Sequence, residues 1–563
     1  MRPADAIVFV GILAAVVAYG VWQSRKQRGA TAYLLADRAM PWWLITVSVM
    51  ATQASAITFL TTTGQGFANG LGFVQFYFGL PLAMVALVTT IVPIYHRLRV
   101  YTAYEYLESR FDAKTRAITA ALFLTLRGLS AGFTIYAPAI VLSVLLGWPT
   151  AATTALIGGL AILYTTWGGA KAVSKTQLLQ MIVILLGMGL AFAATLRSLP
   201  PEIGLGGALD IARDGGKLHA ISLDLGSRYN LWSGLLGGFF LQLAYFGTDQ
   251  SQVQRYLTAK SSKQSQLGLL LNGVLKIPMQ LGILFVGVMV FAAYHFAPQP
   301  LLFNPVEARA AAESARGAEL AQLERDYHKT WELRRDRTLS WLSTELEPDR
   351  TRRKLDVEES SRELAGLRER AVALAHEASP ASNGNDINYV FLRFVLEHLP
   401  VGIVGLVLAA VFCASMSASS AELNALATTT TVDFYKRFLR PAADDARIVR
   451  VSRLATVCWG AFAVGIAQFA GGFGTLVEAV NVLGSLFYGT ILGIFLTGFF
   501  LKRVGGTAVC FAALASEGLV VGLHFGSQLS FLWFNAIGCL AVLALSAVSL
   551  LAQRYKVSLA ASK

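Results

Sequence analysis

Apolar runs of about 20 residues, the length that carries a helix across a bilayer, recur thirteen times along this chain. They fall at about 6–22, 42–66, 72–95, 117–145, 149–167, 177–196, 231–247, 266–296, 400–432, 454–470, 474–500, 506–524 and 530–552. Inside hydrocarbon each run has to satisfy its own backbone hydrogen bonds, so the expected fold is an all-α polytopic membrane protein. Composition agrees: 14% of the residues are charged and 55% hydrophobic, where a soluble domain carries about 25% charged. The first run passes into Arg25, Lys26 and Arg28 with no cleavage-type ending, so it reads as a retained span rather than a signal peptide.

Charge orients the chain. Outside residues 305–380 there are 33 Lys and Arg, and with the N-terminus outside 25 of them fall in cytoplasmic loops. The positive-inside rule therefore favours N-out and C-in. The net charge of +13 reflects this topology, and no nucleic-acid partner is expected. Cys413, Cys458, Cys510 and Cys539 show no paired spacing and the seven His are scattered, so neither a disulfide framework nor a zinc site is indicated.

Residues 305–380 break the pattern with 16 acidic and 14 basic side chains and no membrane-length apolar run. Leu320, Leu323, Tyr327 and Trp331 are spaced three and four apart. Trp341 and Leu342 precede the "EPDR" break at 347–350, and Leu355, Leu364, Leu367 and Leu374 follow it. This predicts an extracytoplasmic antiparallel helical hairpin between the eighth and ninth spans. It divides the membrane domain into 1–304 and 381–563. The hairpin is either a solvated insertion or a docking surface for a protein partner.

Unwound backbone and ionisable groups survive at membrane depth only where protein or water surrounds them. The second run breaks the apolar rule in "MATQASAITFLTTTGQGFANG", with Thr52, Gln53, Ser55 and Thr58 mid-run. The seventh does so in "SGLLGGFFLQLAYFGTDQ", where Gly234, Gly237 and Gly238 precede Gln242. Interrupted spans at corresponding places in two halves point to an inverted-repeat transporter with its site where both unwind. Close helix packing is the competing reading of the glycines. The stretch "ASMSASSAELNALATTTT" (414–431) adds Ser417, Ser420, Asn424 and Thr428 on one helical face. That face either admits a neighbouring helix closely or offers oxygens to a small cation.

Arg127 lies about ten residues into its run, where an unpaired Arg costs on the order of 3 kcal/mol. It should face the bundle interior, toward a substrate anion or toward an internal carboxylate such as Glu422, Glu478 or Glu517. Lys276, beside Pro278, reads as structural.

These residues together resemble the sodium:solute symporter family. The resemblance runs from about Tyr33 to Arg554, apart from 305–380. It is carried by "ADRAMPWW" (36–43), "ATQASAITF" (51–59), "GGAKAV" with Gln180, "GTDQSQVQRYLTAK" (247–260), and 414–431 continuing through "TVDFYKR" (431–437). The resemblance implies a LeuT-type five-plus-five inverted repeat, with one extra span before it and two after. It implies one Na+ held by the carbonyls of Ala51, Ala54 and Ala414 and the hydroxyl of Ser417. At the adjacent hydroxyl position this chain has Ala418. Gln177 and Ala421 stand where a second sodium site would need an Asp and a Ser, so a second ion is not expected. By similarity to the sialic-acid branch, Ser55, Thr58, Gln75 and Arg127 would contact substrate. Gln53 matches a sugar-contacting position of the galactose branch, and Tyr245 an aromatic that closes the inner side.

The expectation is a multi-pass symporter of the bacterial inner membrane, surrounded by lipid. It would import a small polar, anionic organic solute by alternating access, coupled to one Na+. No catalytic constellation converges in the spans, so an enzyme is not expected. The rivals are a proton-coupled or uncoupled carrier, which Ala418 keeps open, and a transporter-like sensor signalling through the hairpin. Against the sensor, only "YKVSLAASK" follows Arg554. The sequence carries no signal for oligomeric state.

Overall fold

The computed structural model describes residues 2–24, 29–227, 229–378, 386–473 and 475–561, and these are overwhelmingly helical. Helix α1 (Pro3–Ser24) precedes a helix in two halves, α2 (Trp42–Gln53) and α3 (Ala56–Asn69). Next come α4 (Leu80–Leu98), α5 (Ala113–Leu146), α6 (Thr150–Arg197) and the short α7 (Gly204–Asp214). A second broken stretch, α8 (Gly238–Thr248) and α9 (Gln250–Leu257), leads into α10 (Ser262–Ala293). The insertion is α11 (Gly317–Leu342) and α12 (Asp349–Ala378). The chain then runs through α13 (Ile387–His398), α14 (Ile403–Thr429), α15 (Asp445–Ala467), α16 (Leu476–Phe500), α17 (Gly506–Gly526) and α18 (Phe531–Ala561).

Among the described residues, ten helices are long and apolar enough to cross a membrane, against thirteen apolar runs in the sequence. Three places make the difference. The second run is split between α2 and α3, so neither half spans alone. The fifth and sixth runs form one element, α6, broken at Gly169 (φ 55°, ψ 176°). There Tyr164 and Thr176 share a side-chain hydrogen bond. In a straight helix twelve residues rise about 18 Å, so the chain must fold back at Gly169. The seventh run is π-helical over Ser233–Gly237 and continues into the eleven-residue α8.

The glycines of that seventh run serve packing. A Cβ on Gly234 would lie 2.1 Å from the Gln75 carbonyl oxygen, and one on Gly237 2.7 Å from that of Leu532. The expected interruption falls further along, at Asp249, whose backbone is extended (φ −79°, ψ 118°) between α8 and α9. A second seam joins α3 to α10. A Cβ on Gly66 would lie 2.2 Å from the Leu284 oxygen, and one on Gly287 2.0 Å from the Thr63 oxygen. The two backbones are therefore in direct contact, as small residues allow. Helix α14 sits at the centre of the bundle, buried over most of its length and packed on α6, α5 and α1.

The insertion is an antiparallel hairpin. Arg316 pairs with Glu377 at 2.5 Å, and Arg337 donates to the Asp356 carbonyl at 2.8 Å. It has its own small core of Leu320, Leu323, Tyr327, Trp331, Leu364 and Leu374, whereas Leu355 is exposed. It is docked on the bundle. Trp331 Nε1 and Arg334 Nη2 both donate to the Tyr294 carbonyl, at 3.0 and 2.9 Å, and Lys354 pairs with Asp214 at 2.9 Å. Arg25, Lys26 and Arg28, used above to orient the first span, lie outside the described residues.

Candidate functional site

The break between α2 and α3 creates acceptors. The last carbonyls of a helix have no partner within it, and here other groups find them. Ser417 Oγ on α14 donates to the Ala51 oxygen at 2.9 Å, and Thr58 Oγ1 donates back to the Gln53 oxygen at 3.1 Å. Ala54 sits in the break itself (φ −85°, ψ 74°). Ala51, Ala54, Ala414 and Ser417 are all fully buried, and Ala414 lies one turn before Ser417 on α14. Beside them Gln177 Oε1 accepts from Ser48, while its amide donates to Thr52 Oγ1 at 3.1 Å and to the Ser417 carbonyl at 3.4 Å. A neutral amide thus sits between α2 and α14 at this position. Ser420 Oγ bonds to the Ser417 carbonyl of its own helix at 3.1 Å.

A cavity of ≈ 120 Å³ adjoins the break. Gln53, Ser55, Thr58, Arg127 and Tyr245 line it, as do Ala418, Glu422 and Lys276. Gln53 Nε2 is held by Asn272 Oδ1 at 3.0 Å. Tyr245 takes a hydrogen bond from Gln252 at 2.7 Å and presents its ring 5.6 Å from the Arg127 guanidinium. Gln75 is not among the lining residues. Its segment, Gly70–Tyr77, is a 3₁₀ helix, and the side chain bonds to the Gly72 and Tyr229 carbonyls and to Ser222 N–H at 3.1, 3.1 and 3.0 Å.

The charges around the cavity sort into two groups. Arg127 is paired with Glu422 at 2.9 Å and with Asp249, and it also donates to the Tyr488 hydroxyl. Tyr488 in turn donates to Asp249 at 2.8 Å. Of the carboxylates the sequence offered to Arg127, Glu422 takes the role, while Glu478 accepts from the Tyr229 hydroxyl at 2.8 Å. Asp249 is a partner that sequence reasoning missed. It follows the seventh run in "GTDQ" and caps α9, accepting from Ser251 N–H at 2.8 Å.

Lys276 is the second missed residue. It is 1% exposed and lines the cavity. Among the described residues it has no carboxylate or hydrogen-bond partner, only the Tyr77 ring at 5.6 Å from Nζ. Its signal is a single Lys inside an apolar run, which beside Pro278 reads as structural.

The sequence model of the sodium:solute symporter family matches residues 33–324 and 364–514. The sodium/glucose cotransporter of Vibrio parahaemolyticus is 25% identical over 537 residues, covering 92% of this chain and 85% of that protein. The sodium/sialic acid symporter SiaT of Proteus mirabilis is 23% identical over 544 residues, covering 95% and 92%. The human sodium-coupled monocarboxylate transporter 1 is 24% identical over 530 residues, covering 93% and 74%. Among solved structures, a Na+-coupled sialic acid symporter in a substrate-bound outward-open state superposes with a TM-score of 0.74 over 97% of this chain and 98% of that one, at 21% identity. That likeness is one of fold.

Proposed function

This chain belongs to the sodium:solute symporter family, and on that premise we propose that it carries a small organic anion together with one sodium ion. It is a multi-pass membrane transporter and not an enzyme; the co-transported ion is sodium and the cargo a small-molecule solute. The proposed ion seat is the carbonyls of Ala51, Ala54 and Ala414 with the hydroxyl of Ser417. A hard cation seeks oxygen ligands, and the Ser417–Ala51 bond already holds two of them together. The proposed crossing number is thirteen, N-out and C-in, in the inner membrane of a bacterium.

One observation carries the anionic reading: Lys276 is a buried cation on the cavity wall that no carboxylate among the described residues neutralises. Arg127, by contrast, is already shared between Asp249 and Glu422. Lys276 therefore takes the solute's charge, Gln53, Ser55 and Thr58 offer hydrogen bonds, and Tyr245 closes the wall beside Arg127. The fixed charges Arg127, Lys276, Asp249 and Glu422 cancel, so adding one sodium and one monovalent anion keeps the site neutral. A volume of ≈ 120 Å³ is well below the ~300 Å³ of ordinary ligand pockets, which favours a solute of few heavy atoms.

The test is counterflow of labelled short-chain carboxylates and their amides in proteoliposomes with sodium present or absent. Sodium-dependent carboxylate uptake, lost in Lys276→Gln, is expected. Uptake of the amide in preference to the acid by the native protein would overturn the reading.

A further inference from the structure

A second cavity, of ≈ 530 Å³, lies where the insertion meets the bundle and shares no lining residue with the central one. The end of α3, the end of α10, helices α11 and α12, and the start of α13 line it. Its charge is one-sided. Arg334, Lys217 and Arg368 face it with a single carboxylate, Asp386, which Arg368 takes at 2.6 Å. Residues 379–385, outside the described ones, read "SPASNGN" and bring no charge.

Arg334 is 6% exposed, and among the described residues it meets no carboxylate. Its Nη2 donates to the Tyr294 carbonyl, and its Nε has no partner. Lys217 donates to the Ala68 carbonyl and lies 4.9 Å over the Phe291 ring, also without a carboxylate. Burial draws the Arg334 guanidinium down to about 10 and the Lys217 amine below its ordinary value. A buried cation left unpaired is costly, and folds keep one where something neutralises it. The planar fork of Arg334 suits a carboxylate or phosphate, and the rings of Phe291 and Tyr327 supply apolar walls.

We propose that this cavity is a second binding site for a small organic anion, its charged head held by Arg334 and Lys217 and its body against Phe291 and Tyr327. Arg334 lies within 325–363, the part of the insertion that the family model does not match, so the family match does not account for this site. The occupant would touch the hairpin, the end of α3 and the start of α13 at once. Binding there joins the insertion to α3, the second half of the broken helix.

The test is calorimetric titration of the purified full-length protein in detergent with choline benzoate, in sodium-free buffer, with inorganic phosphate as its choline salt (choline dihydrogenphosphate) for comparison. Benzoate is expected to bind and raise the melting temperature. Arg334→Gln and Lys217→Gln are each expected to weaken it about tenfold or more, the loss of one charge-assisted contact. Arg334→Lys should recover part of the affinity, and Lys276→Gln should leave it unchanged. Lys217→Gln keeps the test decisive should Arg334→Gln fold poorly. Phosphate binding with the same variant pattern supports an anion seat selecting on charge. The proposal is overturned if neither anion binds, or if binding survives both Arg334→Gln and Lys217→Gln, or if it is lost in Lys276→Gln.

Discussion

Ser417 Oγ reaches across from α14 to the carbonyl of Ala51, at 2.9 Å, tying the central helix to the broken one. Arrival of an ion would turn both oxygens toward the metal. Ser417→Ala should raise the half-saturating sodium concentration about tenfold or more, the scale of one lost contact to a charge. Ala418→Ser, which adds a hydroxyl on the cavity wall, should lower it. The sodium dependence of initial uptake rates measures both, and unchanged values in the two variants would sink the seat.

Arg127 stands between two carboxylates, so its removal leaves both buried and unpaired. Breaking such a pair costs about 3–5 kcal/mol. Arg127→Gln should therefore lower the melting temperature steeply, and the Arg127→Gln/Glu422→Gln double variant should regain part of it. Lys276→Gln removes no ion pair and should melt at or above the native temperature while losing uptake. A stable but inactive Arg127→Gln would instead make Arg127 the group that meets the solute.

Charge balance at the site predicts electroneutral transport. One charge crossing a potential of about 100 mV exchanges roughly 2.3 kcal/mol. With one sodium and one monovalent anion the electrical contributions cancel. Uptake driven by a fixed sodium gradient should be the same whether valinomycin and potassium set the potential positive or negative. A systematic dependence on potential contradicts the one-to-one stoichiometry.

The α3–α10 seam predicts a contrast between two glycines of one helix. Gly287→Val would drive a side chain into the Thr63 carbonyl, whereas nothing lies within 4 Å of a Cβ on Gly282. The first should abolish uptake or expression, and the second should be close to neutral. Equal behaviour of the two would mean the seam opens freely.

Deleting 308–377 and closing the gap with a short Gly/Ser linker should leave sodium-driven uptake in place, because the central cavity has no lining residue there. The melting temperature should fall, since Trp341 packs into the main core and Trp331 bonds to the Tyr294 carbonyl. Loss of uptake in a folded deletion variant would make the hairpin part of the transport cycle.

What the sequence made legible depended on whether a signal stayed within one run. The break at Ala54 showed as Thr52, Gln53 and Ser55 in an apolar stretch, because unwound backbone needs polar company wherever it occurs. The hairpin showed through its Leu and Trp spacing. The interruption in the seventh run was read at Gly234–Gly238, but those glycines answer to Gln75 and Leu532 on other segments, which periodicity does not reveal. Asp249 was missed because it lies just past the end of its run. Gln75 is placed at the site by the resemblance to the sialic-acid branch, whereas its 3₁₀ segment leaves it bonded to Gly72, Tyr229 and Ser222, off the cavity lining. Lys276 reads as structural along its own helix, whereas the cavity it lines is also built from α2, α3, the Gly70–Tyr77 segment, α5, α8, α14 and α16.

The docking of the hairpin on Tyr294, the residue after α10, has a practical side. A rigid helical projection of this kind moves with the helix that carries it, and α10 is in backbone contact with α3 along the glycine seam. Leu346, at the tip and 77% exposed, is thus a natural place for a fluorophore or spin label. Such a label would turn sub-nanometre shifts of the broken helix into a signal readable from outside the lipid, and the same projection would serve as an alignment landmark for particle images.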